Sequence, residues 1–255
     1  MDEETRQDEL PRGVALSWGI VKEPQRGPKR EMNVKQIVDA AIAIADAEGL
    51  TAVSMNRVAS SLGFTAMSLY RYIPSKEDLL LLMQDAVCEL GIEERIDEGM
   101  PWREGLRIYV EAMIQLYQDR PWFSDIPITG APITPNNLKV VDSALRIMRG
   151  LPLTDAEKMS VILLLSSYAR ACGILQRDFN RALKAGMTSA SFSGAPFLGA
   201  LSELVTAERF PDLRPLLVSG AYTGTDEAAD EILDDFDFGL ARILDGIEHY
   251  MAGKT

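Results

Sequence analysis

Residues 54–72 read SMNRVASSLGFTAMSLYRY, two short helical periodicities broken by one glycine. Ser54 is placed to cap a helix from Met55 to Leu62, in which Met55, Val58, Ala59 and Leu62 fall on one face. Gly63 ends it, Phe64 carries the chain through a turn, and Thr65 is placed to cap a second short helix reaching about Tyr72. Pro74 then forbids continuation, because its ring has no N–H and clashes with the preceding turn.

On the upstream side, Val34, Ile37, Val38, Ala41, Ile42 and Ala45 recur at the i, i+3, i+4, i+7 spacing of an amphipathic helix, which Gly49 stops after Glu48. Downstream, residues 75–78 (SKED) form a capping-box sequence that opens a long helix through Leu79, Leu80, Leu82, Met83, Ala86 and Val87. A support helix followed by two short helices and a glycine turn is the make-up of a helix-turn-helix unit, whose last helix enters a DNA major groove. That helix needs small or polar residues on its outer face, and Thr65, Ala66, Met67 and Ser68 supply them while Phe64 and Leu69 anchor it to a core. Tyr70, Arg71 and Tyr72 follow directly. Hydroxyl and ammonium groups at Ser54, Thr65, Tyr70 and Lys76 suit phosphate oxygens, and Asn56 and Arg57 can reach phosphate or base.

The formal net charge of -12 argues against a polyanionic partner only until its distribution is read. From Arg12 to Lys76 nine basic residues face five acidic ones, a local +4 that leaves -16 for the rest of the chain. A chain divided in this way can hold one face to DNA while its other part is repelled from it.

Beyond residue 88 the pattern is helices separated by proline- and glycine-rich links, with no convincing strand, so the expected class is all-α. Helices are expected from Pro101 to Gln118, from Thr134 with Pro135 to about Met148, from the capping box Thr154 to Glu157 onward, from Pro196 to Glu208, and from about Asp226 to Met251. The link Arg120 to Ile133 reads as irregular, Ala185 to Ala195 as a small-residue separator, and the first ~30 residues as an extended arm. No apolar run approaches the roughly 18 residues of a membrane span, the N-terminus is acidic, and Cys88 and Cys172 form no disulfide framework. A cytoplasmic protein without a membrane partner is expected.

Gly49-Leu50, residues 54–59 (SMNRVA), Leu62-Gly63, residues 68–72 (SLYRY) and residues 76–79 (KEDL) form an ordered set that resembles the tetracycline-repressor (TetR) family of transcriptional regulators. Arg120-Pro121-Trp122, the Thr134-Pro135-Asn136-Asn137 helix start and the helix from Thr154 are similar to the C-terminal domain of the tetracycline-repressor subgroup. The resemblance implies an arm over 1–31, an operator-binding domain over 32–78, and an all-helical body over 79–255 that dimerises and takes a small, apolar or aromatic ligand. His249 is the sole histidine, so a metal-chelated tetracycline is not expected, and neither a metal nor a cofactor is. Arg26, Lys29 and Arg30 at the end of the arm can enter a minor groove, the alternative being a solvated tail with Trp18 docked on the body.

Candidate walls of an effector site are Met113, Tyr117, Trp122, Phe123, Leu164 and Tyr168, each with plain core packing as its alternative. Arg170, inside an apolar helix, must be paired with an acid or face a polar ligand. The seam of the final helix and the Pro196 helix suit a dimer bundle, or burial within one subunit. Enzyme readings fail on inventory: GxGxxG, HExxH and GxSxG are all missing. The expected function is a ligand-responsive homodimeric repressor released from a pseudo-palindromic operator; a helical small-molecule-binding protein with a DNA-inactive head is the alternative.

Overall fold

The computed structural model describes residues 10–21, 32–97, 99–127, 130–131, 133–223 and 232–254. Among the described residues the regular structure is helical throughout, as the sequence indicates. Packing divides the chain into two compact units, residues 1–174 and 175–255.

The first unit opens with a departure from expectation. Residues 12–17 are not extended but form a helix, α1 (Arg12–Ser17), with Val14 and Ala15 buried. Its Gly13 meets Asp78 so closely that a Cβ there would stand 3.2 Å from the Asp78 Cα. Trp18 donates from Nε1 to the Ile133 carbonyl at 2.9 Å, so this part of the N-terminus is docked. Arg26, Lys29 and Arg30 lie outside the described residues.

Helix α2 (Val34–Glu48) has the expected bounds. Its start carries a reciprocal cap: the Asn33 side chain accepts from Gln36 N at 2.7 Å, and the Gln36 side chain accepts from Asn33 N at 3.1 Å. Then come α3 (Met55–Ser61), α4 (Ala66–Leu69) and α5 (Lys76–Val87). Gly63 turns the chain between α3 and α4 at φ +77°, a conformation glycine adopts without a Cβ penalty. Ile37, Ala41, Val53, Val58, Leu69, Ile73 and Leu79 close a common core beneath these helices.

The unit continues with α6 (Ile92–Arg95), α7 (Trp102–Asp119) and α8 (Pro135–Ile147). The link expected to be irregular contains a 3-10 turn, Pro121–Asp125, with proline at its first position where the missing N–H costs nothing. Thr134 does not cap α8 with its own side chain. The cap comes from α5 instead: the buried Asp85 carboxylate accepts from the backbone N–H groups of Asn136 at 2.8 Å and Asn137 at 3.3 Å.

Helix α9 (Asp155–Lys184) starts on the expected capping box, with Thr154 N donating to Glu157 at 2.7 Å and Glu157 N to the Thr154 hydroxyl at 3.3 Å. By length and composition α9 is apolar enough to cross a membrane, although no unbroken apolar run announces it. Its buried residues, Ile162, Leu165, Ala169, Cys172 and Gly173, recur at the spacing of one helix face.

Four further helices, α10 (Ser189–Phe192), α11 (Leu198–Leu204), α12 (Leu213–Ser219) and α13 (Ile232–Ala252), belong to the second unit. The segment expected as one helix from Pro196 to Glu208 is shorter: Pro196 sits in a 3-10 turn and α11 ends at Leu204. Arg214 explains the stop, since its Nη1 takes the Ser202 and Val205 carbonyls at 2.9 and 2.6 Å and satisfies the end of α11. In α13 Leu240, Leu244, Ile247 and Met251 are buried at helical spacing, while Phe238 and Tyr250 are exposed.

Candidate functional site

The reading surface is built on α3, α4 and the start of α5. Ser54 caps α3 by accepting from Arg57 N at 3.2 Å, which fixes the entry of that helix and leaves Asn56 and Arg57 on its exposed side. Leu69 is fully buried and Phe64 half-buried, so the opposite face of α4 must turn outward. Met67 accordingly is 76% exposed and Thr65, Tyr70 and Arg71 are exposed, with Ala66, Ser68 and Tyr72 half-buried beside them. Lys76 is exposed at the first position of α5. Of the candidate DNA residues, Ser54, Asn56, Arg57, Thr65, Met67, Tyr70, Arg71 and Lys76 are thus exposed and Ala66, Ser68 and Tyr72 half-buried, while Arg30 lies outside the described residues.

Two details differ from the sequence reading. Helix α4 is only Ala66–Leu69, and the chain reaches Pro74 through tighter turns in which Tyr72 N and Ile73 N both donate to the Leu69 carbonyl. The Thr65 hydroxyl does not cap a backbone N–H but lies 3.1 Å from the Ser68 hydroxyl, pairing two groups expected at DNA. Arg57 is not a free cation either, because Glu48 at the end of α2 forms an ion pair with it.

A second cluster surrounds Tyr117 in α7. Its ring is 5.4 Å from that of Phe123, tilted by 53°, and it packs on Gly173 of α9. The Arg170 guanidinium stands 5.9 Å from the Tyr117 ring centroid and donates to the Ser124 carbonyl at 2.7 Å. A carbonyl and a ring are therefore partners of Arg170, which was expected to meet either an acid or a polar ligand. Met113 and Tyr168 are half-buried.

Burial pushes the Tyr117 phenol up, an effect Arg170 offsets in part. Burial likewise raises Tyr109, whose hydroxyl lies 3.1 Å from that of Ser166, and it raises the Cys172 thiol. The Cys88 thiol is pushed up to about 12 by burial, with the Asp85 carboxylate adding to it.

The two remaining candidate wall residues differ in placement. Leu164 is 47% exposed, because the inward phase of α9 runs through Leu165 and places Leu164 to one side. Trp122 is buried in the same apolar cluster as Tyr117 and Phe123, and its Nε1 donates to Asp46 of α2 at 2.5 Å. Nothing in the sequence marks Asp46 and Asp85, whose acid side chains look like solvating charge until their distant partners are known. Nor does it mark Gln176 on α9, whose Oε1 is buried without a hydrogen-bond partner among the described residues.

A three-helix head with a short, outward-facing reading helix, followed by a larger helical portion, defines a helix-turn-helix transcriptional regulator. Residues 37–83 match the family described as bacterial regulatory proteins, tetR family, and residues 97–251 match the tetracyclin repressor-like C-terminal domain. The chain belongs to the TetR family.

It is 33% identical over 250 residues to the HTH-type transcriptional repressor DrrR1 of Streptomyces coeruleorubidus, covering 96% of this chain and 88% of that protein. It is 26% identical over 228 residues to the repressor Rv1353c of Mycobacterium tuberculosis, covering 87% and 82%. Among solved structures, apo ActR of Streptomyces coelicolor superposes with a TM-score of 0.72 at 25% identity, covering 89% of this chain and all of that one. ActR in complex with actinorhodin gives 0.72 at 26% identity, covering 87% and 99%.

Proposed function

We propose that the chain is a ligand-responsive transcriptional repressor that acts as a homodimer on a pseudo-palindromic operator. The observation that carries the reading is the outward face of α4, where Met67 is exposed and Ala66 and Ser68 are half-buried beside the Leu69 that anchors the helix. Residues 32–78 form the operator-binding domain and 79–255 the body that dimerises and takes the effector. Ser54, Thr65, Tyr70 and Lys76 meet phosphate oxygens; Ala66, Met67 and Ser68 face base edges; Asn56, Arg57, Arg71 and Tyr72 flank them.

The two α4 helices of a dimer enter successive major grooves about 34 Å apart, which sets half-sites near one helical turn. The effector is apolar or aromatic and is met by Met113, Tyr117, Phe123, Tyr168 and Arg170. This reading is supported by the ActR complex with actinorhodin, in which a relative of similar fold holds a small molecule. The protein works in the cytoplasm, by binding rather than turnover, without cofactor or membrane.

Selection of bound duplexes from a random DNA pool, followed by titration of the winner at two salt concentrations, tests the reading. A two-fold symmetric winner with steeply salt-dependent affinity is the expected result. No enrichment at low salt would leave a ligand-binding protein with a DNA-inactive head in its place.

A further inference from the structure

The last turn of α2 holds two acids, Asp46 and Glu48, and no basic residue, against the direction of the helix macrodipole. Local helix chemistry does not favour this arrangement; partners in other elements do. The two oxygens of Asp46 accept from Arg120 Nη1 at 2.7 Å and Trp122 Nε1 at 2.5 Å. These donors flank and enter the 3-10 turn Pro121–Asp125, whose Ser124 carbonyl is in turn held by Arg170 of α9. At the end of the same α2 turn, Glu48 pairs with Arg57 of α3. A continuous run of charge-assisted contacts therefore joins α9 to the helix that precedes the reading helix, with α2 as its rigid middle.

We propose that Asp46 and Arg170 are positioning residues for operator binding: through the 3-10 turn they set α2, and through Glu48 they set where Arg57 is presented. The inference rests on the operator-binding reading above. Neither residue touches DNA in it. Their replacement changes how well the head is presented, not how many phosphates it meets. Asp46 and Arg170 are joined by no direct hydrogen bond, so independent local roles would give additive effects, whereas a shared relay gives non-additive ones.

The experiment uses the full chain, the duplex it selects, and the variants Asp46→Asn, Arg170→Met and their double. Each single variant is expected to lose operator affinity by about fivefold or more with an unchanged salt slope, and the double is expected to be no weaker than the weaker single. Arg170→Lys, which keeps the charge and one donor, and Asp46→Glu, which keeps the carboxylate, are expected to recover part of the loss and guard against simple misfolding. Additive losses, or wild-type affinity in folded Arg170→Met, would overturn the proposal.

Amide hydrogen exchange without DNA supplies a second readout. In Arg170→Met, exchange is expected to rise both over residues 120–126 and in the last turn of α2; a rise confined to 120–126 would sink the relay. Should the wild-type chain select no duplex, the operator reading fails on its own, while the exchange result still decides whether the relay exists.

Discussion

Tyr117 packs directly on Gly173, where an added Cβ would stand 2.7 Å from the Tyr117 Cγ. Both atoms belong to packed helices, α7 and α9, so neither can yield cheaply. Gly173→Ala is expected to cost about 1–3 kcal/mol by overpacking, despite alanine's better helix propensity. A melting temperature equal to or above that of the wild type would show that α7 and α9 do not approach as described. The same variant tilts the Tyr117 ring away from Arg170, so it is also expected to weaken binding of an aromatic effector.

On the reading surface, two classes of substitution should separate. Lys76→Ala, at a proposed phosphate contact, is expected to weaken binding on all sequences and lower the salt slope by about 1. Ser68→Ala is expected to shift the preferred base at one position of each half-site by about 1–3 kcal/mol while leaving the slope alone. Titrations of both variants on matched and mismatched duplexes check this; identical behaviour would mean the roles are misassigned.

Asp85 supplies charge and two accepted hydrogen bonds to the start of α8 from a different helix. Asp85→Ala leaves those N–H groups unpaired where the carboxylate is buried, an expected loss of about 1–3 kcal/mol. Denaturant unfolding measures it, and a change within experimental scatter would indicate that water replaces the carboxylate at no cost.

The Cys88 thiol, held at about 12 against an ordinary 9.0, is protonated in the folded chain at pH values where the unfolded chain has released the proton. Its contribution to stability is complete below pH 9 and is lost as pH rises through the folded value. The slope reaches about 1.4 kcal/mol per pH unit for this one group. Tyr109, Tyr117 and Cys172 are raised too and act in the same direction. The comparison with Cys88→Ala isolates the thiol: the wild type should lose stability more steeply between pH 9 and 11, and parallel curves would refute its burial.

Gly13 presses on Asp78, and a larger residue there must lift α1 from α5. In Gly13→Val, limited proteolysis is expected to cut residues 10–21 well before the rest of the chain, with the cost confined to this contact. Equal cleavage rates in variant and wild type would show that α1 is not docked.

The parts of this fold that were legible in the sequence are those determined locally. Helix α2 matches its expected bounds because periodicity, a start signal and Gly49 all agree over 15 residues. The outward placement of Met67 follows from the same cause, since in a short helix the burial of Leu69 settles which neighbours turn outward. Helix α1 was not legible: it has six residues, too few to form alone, and exists because Val14 and Ala15 find α5. Helix α12 hides behind Pro215, tolerated because it falls in the first turn. In the apolar run Leu163 to Leu165 the residue types cannot tell which side chain points inward; packing does, leaving Leu163 70% exposed and Leu165 fully buried. The Trp122–Asp46 contact was not legible for the same reason, its partners being 76 positions apart.

The brevity of α4 has an evolutionary consequence. With Leu69 as its one fully buried member, the helix ties a single residue to the fold and leaves its neighbours outside the core's constraints. On the operator reading proposed above, a duplicated copy can therefore drift to a new operator through substitutions centred on the exposed Met67, with little cost in stability. On the effector site proposed above, specificity has no such freedom, because Tyr117 packs on Gly173 and beside Arg170; lineages descended from such a chain should then diversify first in the DNA they read and only later in the molecules they answer to.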